Sequence, residues 1–339
     1  MILLSGDIGG TKTILRLVEV ASDRTSWKTI QETQYVSARY PHLVPMVQEF
    51  MQQCQLAKPT IASFAIAGPV IDERCVLTNL KWELVSEELE RELNIPKVSL
   101  LNDFAANSYG VLGLQPDEIV TLQKGMRIPS APIAVIGAGT GLGEGFLIAN
   151  SDRYMVFPSE GGHTDFAPRD ELEYGLFKYI QQKLNGGRVS VERVVSGQGI
   201  LNIYQFLRDT KFAAENEEIS ASIKSWEKSS STNIDPGAVI SKGAHQQDPL
   251  CRKALEMFVS AYGAETGNLA LNLLPYGGVY LAGGIAAKNL PFMKQDIFLE
   301  SFQDKGRMGK LLDKIPVHII LNPQIGLLGS ILYALDNAV

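Results

Sequence analysis

Apolar and polar positions alternate from the first residues onward. Ile2-Leu3-Leu4 leads into Gly6-Asp7-Ile8-Gly9-Gly10-Thr11-Lys12, and a second alternating run extends from Ile14 to Val20. Two apolar segments around a Gly-rich bend predict a β-hairpin. Its turn holds an acid, two adjacent glycines, a hydroxyl and a lysine. Glycine lets backbone approach a bulky ligand, and unpaired N–H groups in such turns suit phosphate oxygens. The same residues also fit a plain tight turn whose Asp satisfies local N–H groups. A polar edge segment follows to about Ala38. Leu43, Val44, Val47, Phe50 and Met51 then recur at helical spacing between His42 and Cys54. The run Ile61 to Ala67 predicts a buried strand stopped by Gly68-Pro69, and residues 77–82 a loop or short strand. Ser86 is placed to cap a Glu-rich helix reaching Leu93. Val98 to Leu101 is a further short strand, ending in Asn102-Asp103-Phe104 ahead of a helical pattern. The first hundred residues therefore read βββαβαβα, an α/β lobe.

The polar, Pro-containing stretch Gln115 to Pro132 marks a boundary or excursion. Beyond it the opening theme returns: a strand at Ile133 to Ile136, the turn Gly137-Ala138-Gly139-Thr140-Gly141-Leu142-Gly143, and a second apolar run, Phe146 to Ile148. Two such hairpins suggest two related lobes facing one another. Ser159 to Pro168 is a loop, and Asp170 caps a helix through about Leu184 that Gly186-Gly187 breaks. Residues 211–235 are acidic and Ser-rich, a solvated helix with a loop and no evident chemistry. Asp248-Pro249 opens a long helix to about Leu274, apolar nearly all round near its end and therefore buried. Val279 to Ala282 is a strand leading into Gly283-Gly284. Val317 to Leu321 is the last strand, and Gly326 to Leu335 an apolar helix.

Composition narrows the classes. A chain of 339 residues can bury a large core in two lobes. Apolar residues make up 45% and charged residues 20%, as in soluble globular proteins. A net charge of −6 without a basic block argues against a nucleic-acid partner or an anionic membrane surface. Cys54, Cys75 and Cys251 are far apart, so neither a zinc site nor a disulfide framework is expected, which fits a reducing cytoplasm. No cleavable leader pattern opens the chain, and no apolar run is long enough to span a bilayer.

The Gly run 137–143 invites a dinucleotide site, but G-x-G-x-x-G requires Gly at 142, which is Leu, and a strand rather than a helix follows. No P-loop and no G-x-S-x-G elbow occur; Gly309-Lys310 is followed by Leu311. Two Gly/Thr hairpins plus Gly283-Gly284 remain, three backbone-approach sites at strand ends that suit a nucleotide held between lobes. Asp103 stands at the carboxyl end of a strand, where sites in α/β sheets gather. It fits an N-cap or a general base for a hydroxyl proton; its neighbour Asn102 offers an amide. Glu160, His163 and Glu192 lie in Gly-flanked loops, readable as surface residues or as partners for ligand hydroxyls. Pairing each hydroxyl is how a polyhydroxylated ligand is discriminated. A metal reading of these three lacks a second His and is weaker.

The motifs GDIGGTK (6–12), LNDF (101–104), IGAGTGLG (136–143), SEGGHTDFAP (159–168), VERVVSG (191–197), GNLALNL (267–273) and LAGGI (281–285) run through nearly the whole chain. Together they resemble the bacterial glucokinase family. SEGGHTDFAP and VERVVSG are highly specific. The Gly/Thr motifs are shared with the wider sugar kinase, heat-shock ATPase and actin superfamily. The Cys-rich zinc motif of a related group of sugar kinases and repressors is missing.

The resemblance implies an α/β, two-lobed actin-like ATPase fold, ribonuclease H-like, with the active site in the interlobe cleft. The implied lobes are a small one at 1–110, joined by 320–339, and a large one at 111–319. It implies Asp103 as the base for the 6-hydroxyl of glucose and Asn102, Glu160, His163 and Glu192 as sugar contacts. Asp7 is implied as the acid near Mg²⁺, acting through water. The turn Gly6, Asp7, Ile8, Gly9, Gly10, Thr11 and Lys12 would handle the ATP phosphates, with Gly139, Thr140 and Gly141 opposite. Gly283 and Gly284 would lie on the adenosine side. ATP and Mg²⁺ are the implied cofactors and a homodimer the implied assembly. The rivals are a kinase for mannose or N-acetylmannosamine, a chaperone-like or filament-forming ATPase, and a sugar-responsive repressor. A repressor would need a helix-turn-helix ahead of the nucleotide lobe, for which Asp7 leaves no room.

Overall fold

The computed structural model describes residues 1–54, 58–77, 79–151, 153–229 and 234–337. Thr78 and residues 230–233, which fall in two of the loops expected above, lie outside them. The chain divides into two compact units: Met1–Pro116 with Val156–Pro158 and Gln324–Val339, and Asp117–Met155 with Ser159–Pro323.

The first unit opens with β1 (Ile2–Ile8), β2 (Lys12–Val20) and β3 (Trp27–Val36), then α1 (Leu43–Gln53) and β4 (Ile61–Ile66). A two-stranded excursion of β5 (Arg74–Leu77) and β6 (Trp82–Val85) precedes α2 (Ser86–Leu93), β7 (Lys97–Asn102) and α3 (Asp103–Gly110). The main sheet has the order β3-β2-β1-β4-β7. The meander β1-β2-β3 is antiparallel, whereas β4 and β7 join β1 in parallel. Every residue of β4 is buried, as expected for a parallel strand covered on both faces. Ala62, Phe64 and Ile66 enter one cluster with Leu4, Leu15, Phe50 and Trp82. Ile61 and Ala65 face the other way, into smaller clusters. Ser86 is not the cap of α2. The cap position is Val85, without a side-chain bond, and the Ser86 hydroxyl donates to Glu73 at 2.7 Å.

In the second unit β8 (Ile119–Gln123), β9 (Ile133–Ala138) and β10 (Leu142–Asn150) come first, followed by β11 (Arg153–Ser159), of which Val156–Pro158 is counted with the first unit. Five helices follow: α4 (Glu171–Lys183), α5 (Gly197–Asp209), α6 (Glu217–Lys228), α7 (Pro236–His245) and α8 (Pro249–Leu273). Next come β12 (Gly278–Ala282), α9 (Gly284–Lys288), α10 (Leu290–Met293), α11 (Asp296–Gln303), α12 (Gly309–Leu312) and β13 (Val317–Ile320). The last helix, α13 (Ile325–Asp336), belongs to the first unit and packs on α3 and β1. The second sheet has the order β11-β10-β9-β12-β13-β8. Leaving β8 aside, it repeats the first: an opening hairpin, a third strand outside it, and two strands added in parallel on the other side. The stretch Gln115–Pro132 supplies this extra edge strand, β8, antiparallel to β13. Asp170 and Asp248 cap α4 and α8 as their positions suggested, accepting from Glu173 N at 2.8 Å and Cys251 N at 2.9 Å. The 25-residue α8 is buried along most of its length, with Phe258 and Tyr262 in the large core.

The Phe64 ring is fully buried and also fills the space a side chain at position 6 would need; a Cβ there would stand 2.6 Å from Phe64 Cδ1. Truncating it empties the centre of the first unit. Phe64→Ala should lower stability by about 3–5 kcal/mol, seen as a fall in the urea midpoint of the first unfolding transition. An unchanged midpoint would show that this core does not depend on the ring.

Candidate active site

In the first unit the candidate residues collect where the parallel strands end. Ile8, Ile66 and Asn102 form one row across the sheet, and Asp7, Ala65 and Leu101 the row before it. The carboxyl ends of parallel strands are where α/β proteins place ligands, since the following loops are free of the sheet's own hydrogen bonds. The turn after β1 is tight: Gly9 N–H donates to Lys12 O at 3.0 Å. Ser37, just past β3, fixes it from the side, donating its backbone N–H to Thr11 O at 3.1 Å and its hydroxyl to Gly9 O at 2.7 Å. Thr11 and Lys12 are exposed and Gly9 and Gly10 half-exposed, so these four form an open backbone rim.

Gly6 and Ile8, expected among the phosphate contacts, have their side-chain positions turned toward the core. Ile8 is fully buried in the core and Gly6 is backed by Phe64. Side chains alternate along a strand, so Asp7 between them points to the α3 and α13 side. A Cβ at Gly326 would lie 3.8 Å from Asp7 Oδ2 and 3.1 Å from Asn107 Oδ1. Burial raises the pKa of Asp7 and the Lys12 charge lowers it. Among the described residues no hydrogen bond to its carboxylate occurs. A desolvated carboxylate with one nearby cation suits a hard divalent ion, which Mg²⁺ sites hold through one or two carboxylates plus phosphate and water.

Asn102, not Asp103, is the N-cap of α3. Its Oδ1 accepts from Phe104 N at 2.8 Å and Ala105 N at 3.1 Å, while its Nδ2 donates to Gly68 O at 3.0 Å. The reading of Asp103 as the cap is thereby corrected, and Asn102 is left with one amide hydrogen for a ligand. Asp103 sits in the first turn of α3 and accepts from Phe104 N at 2.9 Å. Its charge raises the pKa of the buried Cys75 thiol, an effect secondary to burial.

The second unit repeats the placement. The β9–β10 turn is closed by Gly139 N–H on Gly141 O at 2.8 Å. Beside it β12 ends at Ala282, and Gly283 turns the chain into α9 with φ +84°, where a side chain would be strained. The loop 159–164 contains a 3₁₀ turn at Gly161–His163 that presents Glu160 and His163, both exposed, with His163 Nε2 3.9 Å from Glu160 Oε2. Glu192 lies on a second 3₁₀ turn, Val191–Arg193. Its Oε2 accepts from Leu142 N at 3.0 Å and abuts Gly141 so closely that a Cβ there would force the carboxylate to shift. Val191 N–H donates to Thr164 O at 2.9 Å and Gly197 N–H to Gly139 O at 2.9 Å. The three expected sugar contacts and the second Gly/Thr turn are thus knotted together by backbone and one carboxylate.

A cavity of about 660 Å³ opens beside this turn, lined by Gly139, Thr140, Gly197, Gly284 and Ile285. Its wall also contains Gln198, Trp226, Lys242, His245, Lys288 and Asn289, none of which the sequence reading singled out. Residues 211–235, read there as free of chemistry, contribute Trp226 and Asp235. Trp226 and Lys242, on consecutive helices, carry no motif; the tryptophan in an otherwise polar stretch was the available signal. Two lysines and an aromatic ring around a glycine turn suit an anionic ligand with a flat ring. Asp235, the acid among the lining residues, is engaged as the cap of α7, accepting from Ala238 N at 3.1 Å.

Two α/β units of repeated strand order, each with glycine turns at the carboxyl ends of its parallel strands, follow the actin-like ATPase plan, and comparison with known proteins narrows that plan to a sugar kinase. The glucokinase family model matches residues 4–337. A glucokinase of Nostoc sp. is 56% identical over 338 residues, covering 98% of each chain. The crystal structure of a glucokinase from an Antarctic psychrotroph has a TM-score of 0.83 at 26% identity, covering 99% of each chain. That of a Balamuthia mandrillaris glucokinase in complex with glucose has a TM-score of 0.77 at 23% identity, covering 99% of this chain and 93% of that one. The chain belongs to the glucokinase family.

Gly141→Ala tests the Glu192 contact. The methyl group would push the carboxylate off Leu142 N–H. A charged hydrogen bond lost or misdirected is worth about 1.5–3 kcal/mol, so the KM for glucose should rise about 10-fold or more. An unchanged KM would count against the expected sugar contact at Glu192.

Proposed function

We propose that the protein transfers the γ-phosphoryl group of ATP to the 6-hydroxyl of glucose, giving glucose 6-phosphate and ADP. The observation that carries this reading is the grouping of Glu160, His163 and Glu192 on two glycine-flanked 3₁₀ turns beside the Gly139–Gly141 turn. Phosphoryl transfer demands positioning and electrostatic stabilisation more than covalent chemistry. The turns Gly9, Gly10, Thr11 and Lys12, and Gly139, Thr140 and Gly141, are assigned to the phosphates, through the backbone N–H groups left over once Gly9 and Gly139 have closed their own turns on Lys12 O and Gly141 O. Gly283, Gly284 and the cavity beside them are assigned to the nucleoside. Asp7 is assigned to Mg²⁺ through water; the ion, when bound, neutralises charge developing on the phosphate oxygens.

Asp103 is assigned as the base that takes the proton of O6. The remaining amide hydrogen of Asn102 and the side chains of Glu160, His163 and Glu192 pair with the other sugar hydroxyls. A site of fixed hydrogen-bonding groups rejects hexoses that leave one of them unpaired. A cytoplasmic homodimer is the assembly that accompanies this reading. A coupled ADP-release assay across glucose, mannose and N-acetylmannosamine tests the substrate. Turnover without any sugar would favour a chaperone-like ATPase.

Asp103→Asn should lower kcat by about 10²–10⁴-fold, the usual worth of a general base, while calorimetry still detects glucose binding. Near-normal turnover would overturn the assignment. Asp7 works as an anion, and Lys12 is the charge that opposes its burial. Lys12→Ala should therefore shift the acid limb of the pH–kcat/KM profile for ATP to higher pH. A limb that stays in place would detach Asp7 from the titration.

A further inference from the structure

The loop bearing Glu160 and His163 lies along β10. Gly162 rests on the Leu142 carbonyl and Gly161 on the Glu144 carboxyl, each so close that a Cβ would collide. Glu144 is an odd residue for that place. It is 4% exposed, and its Oε1 has no hydrogen-bond partner. The buried hydroxyl facing it, Tyr262 on α8, is already engaged: it donates to Ile136 O at 3.1 Å and accepts from Ala138 N at 3.3 Å. The other group facing it from α8 is a second acid, Glu265, whose Oε2 accepts from Asn268 Nδ2 at 2.9 Å. Lys305 acts on Glu265 from its own side. No cation among the described residues pairs with Glu144.

We propose that Glu144 is a positioning residue for sugar binding, its buried carboxyl forming the floor on which the Glu160–His163 loop is seated. The inference rests on the assignment of Glu160 and His163 to the sugar. An ionised carboxylate with an unpaired oxygen, beside another acid and out of water, is strongly disfavoured. Burial first, and Glu265 second, push Glu144 up to about 8. At neutral pH the floor is a neutral acid and the loop packs on it. Above that value the floor gains a charge with no counter-ion, which recovers solvation only by lifting the loop away. The sign is fixed: seating is complete below the shifted pKa and is lost as pH rises through it.

Glu144→Gln keeps shape and neutrality, so its glucose KM should match the parent at pH 7 and stay flat to pH 9. The parent's glucose KM should rise across that interval with its ATP KM unchanged. Glu144→Ala removes the floor and should raise glucose KM at pH 7 by about 10- to 100-fold, the cost of misplacing binding groups by around an ångström. Parallel glucose profiles for the parent and Glu144→Gln, or a folded Glu144→Ala with unaltered glucose KM, would overturn the proposal. Hydrogen exchange at Gly161–His163, compared at pH 7 and 9 after intrinsic correction, reads the loop without turnover. Exchange that follows the Glu144 charge while glucose KM does not would keep the floor and remove Glu160 and His163 from the sugar site.

Discussion

The N–H of Leu142 donating to Glu192 Oε2 at 3.0 Å is the contact on which the second unit's site is organised. It binds a loop carboxylate to the first residue after a glycine turn, and a Cβ at Gly141 would collide with that carboxylate oxygen and displace it. The same carboxylate is thereby aimed before any ligand arrives. Around it, Val191 N–H holds Thr164 O and Gly197 N–H holds Gly139 O. Hydrogen bonds of this kind are modest singly, but together they preorganise a site so that little is reordered on binding.

Each unit solves the same problem in the same way. A parallel strand leaves the backbone groups beyond its carboxyl end unpaired, and a glycine turn there keeps them open to an anion. In the first unit this end carries the Gly9–Lys12 turn, Asp7 and the β7–α3 junction. In the second it carries the Gly139–Gly141 turn and Gly283. Repetition of strand order is why the two Gly/Thr turns occupy equivalent places despite a short shared motif.

Two acids stand out for burial without full compensation. Asp7 is desolvated with a single cation to offset it. Glu144 is buried with an orphaned oxygen beneath the Glu160–His163 loop. Each contrasts with structural carboxylates such as Glu173, which caps its burial with a close Arg169 ion pair. Buried acids without such partners are where chemistry or positioning is concentrated.

The sequence by itself determined the α/β class, both glycine hairpins, the capped helices at Asp170 and Asp248, and the motif set that places the chain in its family. These are local signals: periodicity, turn chemistry and caps act within a few residues. The tertiary structure alone decided which of two adjacent polar residues caps α3, because Asn102 is drawn into that role partly by the Gly68 carbonyl, 34 positions away. It also decided that the Ile8 side chain and the side-chain position of Gly6 face the Phe64 core, since strand alternation assigns them there. The cavity wall at Trp226 and Lys242 and the seat formed by Glu144 were equally hidden. Each depends on elements tens of residues apart being packed together, and no spacing along the chain records a contact made across a sheet or between helices.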